Sequence, residues 1–75
     1  MEGLTVGRIV HYVAYGTPGG EYPAGAHRAA LVTEVLDADN GVCTLAVFNP
    51  TGIHWNRAIY SDTAAPGTWH WIERA

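Results

Sequence analysis

Three short groups of residues hold most of the chemistry available to this chain. Trp69-His70-Trp71 sets two indoles two residues apart, which is the strand repeat, so on an extended segment both lie on one face as a core block or a stacking platform. Ile53-His54-Trp55-Asn56-Arg57 brings together an aromatic face, an amide able to pair with a base edge and a guanidinium suited to phosphate. Tyr12, Arg28 and Tyr22 add a phenol near the first strand, a second cation for phosphate, and an aromatic in a glycine-rich loop placed to act as a lid. The set reads as a site for a planar, polar ligand, lined by Tyr12, Tyr22, Arg28, Trp55, Asn56, Arg57, Trp69, His70 and Trp71. Stacking a base on an aromatic ring contributes about 1 to 3 kcal/mol, and an Arg on a phosphate adds charge-assisted hydrogen bonds.

Other chemistries find less to work with. His11, His27, His54 and His70 lie at none of the short separations typical of zinc motifs, so the spacing argues against a metal, and only convergence in the folded chain would create a site. Neither a metal nor a cofactor is expected. The hydroxyls sit in no nucleophile-elbow pattern, and Asp37 and Asp39 flank a hairpin turn where Asp is ordinary, so no catalytic residue is assigned and the protein is read as a non-enzyme. Cys43, inside Val42-Cys43-Thr44-Leu45-Ala46-Val47-Phe48, has no neighbouring cation or base and reads as a small buried hydrophobe.

The elements that must position these residues are strands. Alternating runs appear at Gly7 to Tyr15, His27 to Leu36, Val42 to Phe48, Ile53 to Ile59 and Thr68 to Arg74. Asn40-Gly41 and Asn49-Pro50-Thr51-Gly52 supply tight turns between the second, third and fourth runs. The segment from Gly16 to Ala26, with four Gly and two Pro in eleven residues, is a long loop, and Tyr60 to Gly67 is a connection with room for a short helical turn. Five strands, one long loop after the first, two tight hairpins and a break before the last give the order of a five-stranded SH3-like small barrel in an all-β domain spanning 1–75. An OB-like barrel is the alternative, lacking here the helix that usually precedes its fourth strand.

Composition narrows the partners. The chain is 48% hydrophobic and 15% charged, light in solvating charge for so small a surface, so a homo-oligomer is expected. Four Arg against seven acids, for a net charge of -3, provide no basic stripe for duplex nucleic acid. No run approaches the roughly 18 apolar residues of a membrane span, no basic leader precedes an apolar stretch, and the lone cysteine permits no internal disulfide, so a cytoplasmic protein is expected.

The opening Val6-Gly7-Arg8-Ile9-Val10-His11-Tyr12-Val13, the phrase Thr33-Glu34-Val35, the turn Asn49-Pro50-Thr51-Gly52 and the ending Gly67-Thr68-Trp69-His70-Trp71 together resemble small proteins encoded by tailed phages and prophages. The likeness spans nearly the whole chain and departs at Ile72, where a Pro fits the pattern better. Small phage proteins include sponges that sequester the nucleotide second messengers of bacterial immunity, such as cyclic oligonucleotides or cyclic ADP-ribose isomers, without cleaving them. The resemblance thus implies an anti-defence protein in the host cytoplasm with a small nucleotide ligand. The alternative is an SH3-like adaptor that binds peptides in a groove lined by Tyr12, Tyr15, Tyr22 and Trp55.

Overall fold

The computed structural model describes residues 1–16 and 25–73. Five strands follow one another along the chain: β1 (Ile9–Val13), β2 (His27–Asp37), β3 (Val42–Asn49), β4 (Gly52–Ile59) and β5 (Trp69–His70). They form one antiparallel sheet in the order β4-β3-β2-β1-β5, and no helix is present among the described residues. The all-β, five-stranded organisation expected from the alternating runs is therefore present. The expected barrel closure is not: the sheet ends at β4 on one side and β5 on the other. A single parallel bridge between Tyr60, just past β4, and Trp69 links those ends.

One face of the sheet carries the core. Val10 and Tyr12 of β1, Ala30 and Val32 of β2, Cys43, Leu45 and Val47 of β3, Ala58 of β4 and Trp69 of β5 are buried together, with Leu4 covering them from the N-terminal segment. The strand period of two explains the selection, since the members of this cluster on β1 and β4 all stand at even positions. Burial pushes the Cys43 thiol up to about 11, so it stays protonated at neutral pH and serves as packing.

Two local features curl the sheet. In β2 the register against β3 slips between Val32 and Glu34 and again between Val35 and Asp37; bulges of this kind bend a strand and raise its twist. At the β2–β3 turn, Asp37 accepts hydrogen bonds from the side-chain amide of Asn40 and from the backbone amides of Asp39 and Asn40, and Gly41 takes a φ of 71°. The curl carries Gly41 to β5, where its carbonyl accepts the Trp69 indole N–H at 2.7 Å and the Tyr60 amide at 3.0 Å.

The last strand is much shorter than the expected Thr68 to Arg74. After His70 the chain leaves the sheet: Trp71 packs beside Gly3 and under the Arg8 guanidinium, 5.1 Å from its ring centroid, and Glu73 returns to the histidines of the sheet. The stretch from Tyr60 to Gly67 consists of turns, with Ala64 at a φ of 56° in place of the expected helical turn.

Candidate functional site

Register decides which of the sequence-predicted residues meet. Trp55 pairs with Ala46 and Asn56 with Leu45, so neighbours in β4 point to opposite sheet faces. His54 and Asn56 lie on the core face with Val47 and Leu45, whereas Trp55 and Arg57 lie on the outer face with Ala46 and Thr44. The Trp-Asn-Arg run is thus divided by strand alternation and does not act as one cluster.

At the open rim of the core face, Tyr12, Val47, His54, Trp55 and Asn56 line a groove of about 240 Å³, closed further by Tyr15 and Gly16. Three of the predicted ligand residues, Tyr12, Trp55 and Asn56, therefore converge. Arg28 pairs with Tyr12 across β1 and β2, which puts it on the same face one strand away. Burial, followed by the neighbouring Tyr15, raises the Tyr12 phenol above its usual pKa, so it is neutral and able to donate a hydrogen bond. Trp55, on the edge strand, is 68% exposed.

The remaining predicted residues go elsewhere. Trp69 is fully buried in the core, its ring edge-on to Tyr60 and Trp71 at 5.1 and 4.9 Å, and so offers no stacking face. Trp71 shares its side of β5, as the spacing of two requires, but its ring lies beneath Arg8. A small sheet spends its largest aromatics on its core, and here that use wins for the pair. Arg57 stands on the outer face away from the groove, and Tyr22 lies outside the described residues.

A second constellation, not legible from spacing, occupies the outer face at the β5 edge. His70 pairs with His11 and Val13 with His27, so imidazoles from β5, β1 and β2 stand side by side, with ring centroids 4.8 to 6.0 Å apart. All three reach one atom. Glu73 Oε1 lies 2.9 Å from His11 Nδ1 and 3.2 Å from His27 Nδ1 and also meets His70 Nε2. The four ligand-capable atoms lie within 4.8 Å of one another. Hydrogen bonds from His11 and His70 hold the Glu73 carboxyl well below the usual range, at about 2, so it is an anion at any physiological pH. Tyr60, Asp62, Ala64 and Trp71 join His27, His70 and Glu73 around an adjoining hollow of about 290 Å³.

Three of the four histidines thus converge in the folded chain, which their spacing in sequence did not supply. The one usable signal was parity: His70, flanked by Trp69 and Trp71, had to face away from the core, and His11 alternates with the core residues Val10 and Tyr12. His27 could be placed only by the strand register, and Glu73 only by the path of the chain beyond β5. Compared by sequence and by fold, the chain matches no family model, no curated protein and no solved structure.

Proposed function

We propose that the chain is a non-catalytic binding module that holds a nucleotide-type signal, in the manner of a phage anti-defence sponge, on a small SH3-like barrel. The observation that carries this reading is the groove in which Tyr12, Trp55 and Asn56 come together. Its volume of about 240 Å³ is under the roughly 300 Å³ at which pockets for drug-sized ligands begin, so it accepts one base rather than a whole dinucleotide. Tyr12 and the exposed Trp55 supply aromatic surface, the Asn56 amide pairs with a base edge, and Arg28 on the same sheet face serves the phosphate. Arg57, Trp69 and Trp71 drop out of the ligand set by their placement, and His70 belongs to the second cluster.

A thermal-shift panel of cyclic and linear nucleotides tests the proposal, because a ligand that binds only the folded state raises the melting temperature by mass action. The expected result is a clear shift with one nucleotide class and release of the intact ligand on heat denaturation. Trp55→Ala should weaken binding by about 1 to 3 kcal/mol while leaving the fold in place, since the side chain is exposed. A cleaved product would make the protein an enzyme. No shift across the panel would favour the peptide-binding adaptor, for which the same groove is the docking surface.

Self-association belongs to the same proposal. Two rows of side chains cross the outer face beside the groove, Ile9-Leu31-Ala46 and Ala29-Phe48-Ile53, and Ile9, Phe48 and Ile53 are each about half exposed. They adjoin β4, an eight-residue edge strand that pairs only with β3 in the sheet order. A second copy covering these rows would bury apolar surface and protect the edge. Light scattering at micromolar concentration should show a particle larger than 8.1 kDa, and Phe48→Glu should return it to that mass.

A further inference from the structure

We propose that His11, His27, His70 and Glu73 form a binding site for one divalent transition-metal ion, with zinc the best match, and that the ion fastens the segment after β5 to the sheet. The inference is independent of the groove. It rests on donors brought from three neighbouring strands and from the chain beyond them to a common point.

The geometry is close to what such an ion requires. Zinc bound to nitrogen and oxygen at 2.0 to 2.1 Å in a tetrahedron spaces its ligand atoms about 3.3 Å apart. The two longer contacts to Glu73 Oε1 are 2.9 and 3.2 Å, and no pair in the set exceeds 4.8 Å. Small side-chain rotations therefore suffice. Three imidazoles and a carboxylate suit zinc and its first-row neighbours, whereas calcium and magnesium prefer an all-oxygen shell. With four protein donors the coordination is complete, as in structural zinc sites, and no position is left for a hydrolytic water.

A hydrogen-bonded cluster without metal explains the arrangement less well. One carboxylate oxygen then serves three rings, although Glu73 is about half exposed and water could serve each ring separately. A cation gives all three ring nitrogens and the carboxylate a single partner. The adjoining hollow lined by Tyr60, Asp62 and Trp71 opens on His27, His70 and Glu73 and offers the ion a way in.

The fold has a use for such a staple. A 75-residue chain with one cysteine has no internal disulfide, and its last strand contributes only two residues to the sheet. Because the four ligands are 3 to 62 residues apart in sequence, the unfolded chain holds no preformed site, and binding energy becomes folding energy.

The test uses untagged full-length protein stripped with a chelator and then titrated with zinc and with cobalt(II). We expect one equivalent bound, the visible absorption of tetrahedral cobalt(II), and a melting temperature that climbs with free zinc. His27→Ala and Glu73→Gln alter exposed side chains, so the metal-free proteins should melt near the parent while losing affinity beyond the roughly 10- to 100-fold typical of changes behind the first ligand layer. His54→Ala, which removes the histidine outside the cluster, should still take up one equivalent. Three outcomes would overturn the assignment: no saturable binding by the parent, an octahedral cobalt spectrum, or affinity unchanged in both His27→Ala and Glu73→Gln.

Discussion

Trp69→Ala is expected to remove a large share of the stability of this domain. The side chain is fully buried, donates its indole N–H to the Gly41 carbonyl at 2.7 Å, and meets both Tyr60 and Trp71 edge-on. Truncating a buried Trp costs about 3 to 5 kcal/mol through lost transfer energy and the cavity left behind. A chain of this length has about 4 to 11 kcal/mol in total at typical values per residue. At about 4 to 8 °C per kcal/mol for a small domain, the melting temperature should fall by roughly 12 °C or more. Trp69→Phe should cost less, because the cavity is smaller even though the Gly41 carbonyl loses one of its donors. Thermal melts followed by circular dichroism decide the matter. A Trp69→Ala protein melting within a few degrees of the parent would mean that the residue is not the centre of the core.

Gly41→Ala should produce the second large effect, from backbone geometry and close packing together. Gly41 has a φ of 71°, in the left-handed region where a side chain costs about 1 to 2 kcal/mol. A Cβ there would stand 2.7 Å from Tyr60 Cβ and 2.9 Å from Met1 Cε. The methionine can swing aside. Tyr60 cannot, since its amide bonds to the Gly41 carbonyl and its backbone bridges to Trp69. The combined loss should reach about 2 to 5 kcal/mol, adding overpacking of about 1 to 3 kcal/mol to the backbone cost. Gly52→Ala is the contrast: nothing lies within 4 Å of its Cβ position and its φ is ordinary, so its stability should stay within about 0.5 kcal/mol of the parent. Equal effects at the two glycines in urea titrations would refute the close-packing argument.

The comparison between sequence and structure turns on range. Strands two to four and the turns between them were legible within a residue or so, because alternation and turn chemistry are local; Asn40-Gly41 turns where its composition says it must. The extent of β5 was not, because Trp71 and Glu73 respond to Arg8 and to His11, both more than sixty residues away in sequence. The same limit applies to the sites. Alternation could have shown that Arg57 parts from Asn56, but the meeting of His11, His27 and His70 depends on pairing registers that no run of residues encodes.

The pairing of β5 with β1 also sets a schedule. Tyr12 finds its sheet partner at Trp69, across a loop that contains every other strand, and Gly41 waits for the same indole. Folding dominated by such distant contacts is slow, with times of milliseconds to seconds in proteins of this kind, since the entropy of loop closure is lost before the contact returns anything. During synthesis, β2, β3 and β4 can zip as consecutive hairpins while the seat of Trp69 stays empty and greasy. Until Trp69 reaches Gly41 and Tyr60, the apolar side chains around that seat stay uncovered, and a sheet lacking its last strand is open to aggregation.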